Sequence, residues 1–253
     1  MSPSVCTIDY AMKQFPYSVE PSGGDLREVP IYSSAEASFY LDVPKTTIHW
    51  WIKGRLRKGK IIPPLVIPAD AAGPMLSYNN LSELHILSVA TRVHRVKLAD
   101  VRRAMEYITE RYPSAHPLLS REFSTDGHDL FAKILEGGKY DPKTEQIVNF
   151  SRHGQLGLKE LLDQYLERIV RDEQFLPLKF YPVARGQSKD ERFVCIMPTV
   201  SSGRPVIDKF GIPVSTIWNR HKAGDQVPEL AEDYEVPEAM IVGALRYVEA
   251  QAA

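Results

Sequence analysis

The chain has 253 residues and a formal net charge of -1, with 31 Lys and Arg against 32 Asp and Glu. That length buries a sizeable core and holds one large domain or two modest ones. Near-neutrality excludes a protein that coats nucleic acid over its whole surface, and no apolar run approaches the roughly 18 residues of a membrane span.

The opening segment MSPSVCTIDYAMKQFPY lacks a charged start, an apolar core and a small-residue cleavage site, so no export signal is read and a cytoplasmic protein is expected. Cys6 and Cys195 are too few and too far apart for a disulfide framework or a zinc ribbon. The charge is nonetheless polarised. Lys45, Lys53, Arg55, Arg57, Lys58 and Lys60 fall in a stretch without a carboxylate, and Arg92, His94, Arg95, Lys97, Arg102 and Arg103 face only Asp100. Asp225, Glu229, Glu232, Asp233, Glu235 and Glu238 form a stretch without Lys or Arg.

In chain order, residues 1–29 are rich in Pro, Ser and Gly and read as an N-terminal arm. A helix begins after Ser33, because Glu36 stands three residues on, where it completes a capping box. It ends before Pro44, since the residue ahead of a proline disfavours helical geometry. Pro44 then opens a second helix over residues 45–53, which Gly54 stops. Two short helices joined at Leu41, Asp42 and Val43 make a helix-turn-helix. Residues 61–67 read as a broken extended arm, and a turn at 71–74 leads into residues 75–78, giving a two-stranded wing.

Apolar residues at helical spacing predict helices over 80–95 and 98–112, with a break near Val96 and Lys97. From 121 to 150 the pattern predicts strands, with a turn at Asp126-Gly127, an apolar run over 130–135, a loop at Gly137-Gly138 and a strand over 147–150. An amphipathic helix carries Leu158, Leu161, Leu162, Tyr165, Leu166 and Ile169 on one face. Residues 178–183 and 193–197 read as strands around a polar loop over 185–192. Helices over 214–223, after Pro228 and over 237–250 close the chain, and they form a second helix-turn-helix-like tract. The expected fold is therefore mainly α with small β elements. It divides into the arm 1–29, a winged helix-turn-helix 30–117, an α+β middle region 118–200 and a C-terminal three-helix domain 201–253.

Signs of chemistry are sparse. GRLRKGKI resembles a phosphate-binding loop but has Ile61 where Ser or Thr ligates magnesium, and it follows a helix. Asp126, His128 and Asp129 carry ligand atoms, although a hairpin turn uses the same residue types for backbone reasons. The alternative, an enzyme built on that trio, predicts bound metal. No Gly-x-Ser-x-Gly elbow is present and Cys195 has no adjacent acid or base. No enzyme, cofactor or metal is expected.

The second helix is the informative element. Val43, Ile48, Trp51 and Ile52 share one stripe, and Lys45, Thr46, His49, Trp50 and Lys53 share the other. Cations and hydroxyls on the outer face suit major-groove docking, with phosphates and base edges as partners. The expected DNA-binding set is Lys45, Thr46, Thr47, His49, Trp50, Lys53, Arg55, Arg57 and Lys58. Adjacent helical residues lie about 100° apart, so Trp51 is assigned to the core and Trp50 to the outer rim.

VPKTTIHWWIKG resembles the helix-turn-helix of the MerR family, with Thr47, Ile48, His49, Trp50, Trp51, Lys53 and Gly54 in matching order and His49 where the family usually has Arg. The C-terminal stretch resembles a small helical antitoxin domain through Gly203, Pro205, Ile207, Ile212-Pro213-Val214, Gly224, Tyr234 and Ala244-Leu245-x-Tyr247. Lys209-Phe210-Gly211 replaces its usual Gly-Thr-Arg. Together the two tracts resemble the large VapB-type antitoxins of type II toxin-antitoxin systems. The resemblance implies a VapC-type PIN-domain ribonuclease toxin as partner and autoregulation through promoter DNA; a homodimer is expected from the few contacts one short recognition helix makes. Ser215, Thr216, Asn219, Arg220 and Lys222 form a polar face that is a second DNA contact, a toxin contact or a plain solvated face. The alternative function is a stand-alone MerR-like regulator that senses a ligand through residues 118–200.

Overall fold

A computed structural model describes residues 24–57, 60–70, 75–92, 98–135, 139–141, 146–148, 155–183 and 192–252. The chain is mainly helical with small antiparallel sheets. Among the described residues no helix is long and apolar enough to cross a membrane.

Helix α1 spans Ser34–Leu41 and α2 spans Lys45–Lys53. Ser33 caps α1 as the sequence implies: its hydroxyl accepts from Glu36 N–H, and the Glu36 carboxylate accepts from Ser33 N–H at 2.8 Å. Asp42 takes the left-handed conformation at φ 49°, which reverses the chain between the helices, a geometry that Asp tolerates better than branched residues. Gly54 ends α2 at φ 64°, and a Cβ there would stand 2.2 Å from Ile62 O. Only glycine allows that approach.

The strands after α2 are not where the sequence reading places them. Arg55–Arg57 (β1) pairs antiparallel with Lys60–Ile62 (β2), so the hairpin begins immediately after Gly54. Residues 63–67 run on as irregular chain, with Leu65 N–H and Val66 N–H both donating to Trp51 O. Leu76 bridges Tyr32 instead of completing a wing. The expected turn at 71–74 lies outside the described residues.

Helix α3, Tyr78–Arg92, is the hub. Its described side chains from Tyr78 to Ala90 are buried on every side. Such a helix must satisfy its polar groups internally. Asn80 accepts from Ala69 N–H and donates to Ile67 O, Ser82 and Ser88 donate to carbonyls of their own helix, and Glu83 meets His116. Helix α4, Leu98–Arg111, turns one apolar face inward. The expected break at 96–97 lies outside the described residues.

The strand reading of 121–135 is overturned. Phe123–Gly127 forms a π-helical turn that runs into α5, His128–Leu135. Phe131, Ala132, Ile134 and Leu135 are buried, a helical i, i+1, i+3, i+4 pattern which packing against α4 selects over extension. The turn expected at Asp126-Gly127 is therefore absorbed in helix. Lys139–Asp141 (β3) and Gln146–Val148 (β4) pair antiparallel; the Gly137-Gly138 loop lies outside the described residues.

Helix α6 spans Gln155–Leu166. Ile169, expected on its face, belongs instead to β5, Ile169–Arg171, which pairs with β6, Pro177–Phe180. β7, Val194–Cys195, pairs with β8, Val206–Ile207. Residues 184–191, most of the expected polar loop, lie outside the described residues. The chain closes with α7 (Val214–Ala223), α8 (Val227–Asp233) and α9 (Glu238–Ala252). One apolar cluster runs from Tyr32 to Ile196, and a second joins Val194, Ile217, Leu230, Ile241, Leu245 and Tyr247.

Candidate nucleic-acid interface

Helix α2 divides as its sequence dictates. Val43 before it and Ile48, Trp51 and Ile52 within it are buried, while Lys45, Thr46, His49 and Lys53 are exposed. Thr47 is half-buried in the first turn. The two tryptophans part company: Trp50 is 42% exposed and Trp51 2%. Exposed positions 45, 46, 49, 50 and 53 follow the helical repeat and form one continuous ridge. Ser38 Oγ donates to Val43 O at 2.7 Å, which fixes the turn that aims α2.

The basic stretch continues in sequence beyond α2. Arg55 and Arg57 lie in β1, with their side chains outside the described set, and Lys58 lies outside the described residues. The second basic cluster is partly spent on the fold: Arg102 Nη1 donates to Pro63 O at 2.6 Å, and Arg103 pairs with Asp100. Pro63, Pro64 and Leu65 line one wall of a cleft of about 380 Å³, with Arg102, Met105, Glu106, Thr109 and Glu110 opposite.

The C-terminal polar face has a different electrostatic state. Ser215, Asn219 and Lys222 are exposed on α7, and Thr216 is half-buried. Arg220 pairs with both Asp225 and Asp233. Lys222 lies over the Trp218 ring. The acidic tract thus consumes the arginine beside it, and α7 presents hydroxyl and amide groups more than free cationic charge.

Two polar clusters join distant segments; of the first, the sequence singles out His128 and Asp129 but not Lys159 and Asp163. His128 Nε2 lies 3.3 Å from Asp129 and 3.2 Å from Asp163, and Lys159 bridges both carboxylates. The ammonium occupies the place between them, and among the described residues no group of three or more His, Cys, Asp and Glu could hold a metal ion. His116 sits between Glu83, at 2.8 Å, and Glu28, at 3.0 Å. Burial pushes the His116 pKa down, but the hydrogen bond and charge of Glu83, joined by Glu28, raise it to about 9. The adjacent pair His128-Asp129 is a local signature in the first cluster; the remaining partners lie tens of residues away. Burial raises the Cys195 thiol well above its usual range, which keeps it protonated and inert.

The C-terminal region also grips α1. Tyr32 Oη donates to Gly203 O at 2.8 Å, Arg204 pairs with Glu36, and Tyr247 Oη donates to Tyr40 O at 3.4 Å.

Comparison with known proteins places these features in context. Residues 194–248 match a family described as a protein of unknown function, DUF433. The Mycobacterium tuberculosis protein named "Putative antitoxin VapB45" is 26% identical over 229 residues, 86% of this chain and 93% of that protein. A second protein of that organism, the uncharacterized protein Rv2308, is 26% identical over 87% of this chain and 90% of its own length. The crystal structure of Rv2018, also from M. tuberculosis, is similar at a TM-score of 0.63 and 24% identity, covering 86% of this chain and 98% of that one. The chain thus shares a fold with a solved protein, and it has a distant relative whose name assigns it to the antitoxins.

Proposed function

We propose that the chain is the antitoxin of a VapBC-type, type II toxin-antitoxin pair. Residues 30–117 act as a MerR-like winged helix-turn-helix that binds promoter DNA and represses the chain's own operon, and residues 201–253 form the partner-binding domain. The partner is a PIN-domain ribonuclease, and the chain acts as a homodimer on a two-fold operator. The relative named as an antitoxin, matched over most of both chains, supports the reading. The observation that carries DNA binding is the exposed ridge Lys45, Thr46, His49, Trp50 and Lys53 above the buried stripe Ile48, Trp51 and Ile52.

The chemistry of that ridge divides by reach. Lys45 and Lys53 neutralise phosphates, a term that carries affinity and its salt dependence. Thr46, Thr47 and His49, on the early turns of α2, supply hydroxyl and imidazole groups for phosphates and base edges. Trp50 packs its ring on deoxyribose. Co-expression with the neighbouring gene followed by pull-down tests the whole assignment. Co-purification of a gene product that is toxic alone is expected; a non-toxic neighbour that does not co-purify overturns it.

A second reading, a ligand-responsive regulator, draws on the cleft between Pro63–Leu65 and α4. That cleft lies beside the helix pair, outside the 118–200 region where sequence placed a ligand. A rise in melting temperature with a cell extract of small molecules, and no toxic neighbour, would favour it.

A further inference from the structure

Helix α1 has only eight residues, well below the roughly 12 to 15 at which an isolated helix becomes even marginally stable in water. Its outward residue Phe39 is 37% exposed, so packing holds it on part of its circumference. Both of its ends are completed from the C-terminal region, across more than 160 residues of sequence. At the start, the Glu36 carboxylate is divided: Oε2 accepts from Ser33 N–H and Oγ–H, and Oε1 accepts from Arg204. At the finish, Tyr40 O, one of the terminal carbonyls that no helical N–H can reach, accepts from Tyr247 Oη at 3.4 Å and Gln251 Nε2 at 3.5 Å.

The approach to α1 is held as well. Tyr32 Oη donates to Gly203 O at 2.8 Å in a buried contact, and the Arg204 guanidinium lies 5.8 Å above the Tyr32 ring. Gly203 has φ +73°, and a Cβ there would stand 2.1 Å from Tyr32 Oη. The contact therefore demands glycine for both backbone and space.

We infer that Arg204 is a positioning residue for the DNA-reading helix pair: together with Gly203, Tyr247 and Gln251 it clamps α1, and through α1 the orientation of α2, to the C-terminal region. This rests on the reading of α2 as a DNA-binding helix. The clamp makes two functions one linked equilibrium. A partner that favours the docked C-terminal region raises DNA affinity, one that pulls it away lowers it, and DNA alters partner affinity by the same factor. Arg204 needs no contact with DNA for this.

The pair Glu36 and Arg204 permits a clean test in the full chain. Glu36→Gln keeps a carbonyl oxygen for the Ser33 cap and turns an amide NH2 toward Arg204, so both the charge and the acceptor that face the guanidinium are removed. Wild type, Glu36→Gln, Arg204→Gln and the double variant are compared by hydrogen exchange and by affinity for the duplex upstream of the chain's own gene, with an unrelated duplex as control. Each single variant is expected to speed exchange over residues 34–53 and to weaken duplex binding about threefold to tenfold, with the double no worse than either single. Exchange over 227–252 stays unchanged. Additive effects, no change in either single, or an equal rise along the whole chain would overturn the clamp. Gly203→Ala offers an independent break, expected to give the same local exchange over 34–53. If the wild type ignores both duplexes, the DNA reading fails, while the exchange cycle still decides the clamp.

Discussion

Helices α2 and α7 are built alike and charged differently. Each begins after a proline in extended geometry, Pro44 at φ -53° and Pro213 at φ -58°, carries Thr and a fully buried Ile in its first turns, and ends at a glycine with positive φ. On α2, Lys45, His49 and Lys53 project from a basic stretch; on α7, Arg220 is paired with Asp225 and Asp233 and the acidic tract follows. The same local code for a short capped helix thus serves two surfaces, and the difference lies in the counter-charges that the next segment brings. Phosphate needs unspent cations, which supports the proposal of α2 as the nucleic-acid element, whereas Arg220 on α7 is already held by Asp225 and Asp233.

The comparison can be broken most severely at the tryptophans. Trp51→Ala is expected to cost about 3 to 5 kcal/mol through the cavity it leaves, whereas Trp50→Ala should change stability by no more than about 0.5 kcal/mol and weaken duplex binding. Urea unfolding of the two variants checks this, and equal losses would place Trp50 in the core. The terminal glycines come next. Gly54→Ala forces a Cβ to 2.2 Å from Ile62 O, while nothing lies within 4 Å of the same atom at Gly224. Gly224→Ala should then cost about 1 to 2 kcal/mol, the left-handed strain alone, and Gly54→Ala about 1 to 3 kcal/mol more.

Smaller effects distinguish the charges. Lys53→Ala should lower the salt dependence of duplex binding by about one phosphate contact, and Lys222→Ala should leave it unchanged; a matching loss at Lys222 would make α7 a second DNA contact. The last is a pH effect. His116 has a raised pKa of about 9 in the folded chain, so its stabilising contribution is full below about 6.5, the unfolded value, and is lost as pH rises through 9. Melting temperature should therefore fall less from pH 7 to 10 in His116→Gln than in the wild type.

What could be read in advance followed the range of the interaction. The limits of α1, α2 and α7 are set by Ser33, Pro44, Gly54, Pro213 and Gly224, residues next to the boundary they define, and they stand where the sequence implied. The run around Phe131, Ile134 and Leu135 fits strand or helix equally, and only burial against α4 and α6 decides it. β1 and β2 were hidden by their length, since three residues each, RLR and KII, are too few to carry a period-2 signal. Ion pairs such as Arg204 with Glu36 join residues 168 apart, and no local pattern announces them.

The most direct measurement is a salt titration of duplex affinity for the wild type beside a Lys45→Glu, Lys53→Glu double variant, with circular dichroism to show that the variant remains folded. A steep fall of wild-type affinity with salt and a loss of binding in the folded variant are predicted. Undiminished, salt-insensitive binding by the variant would contradict the assignment of α2 to DNA.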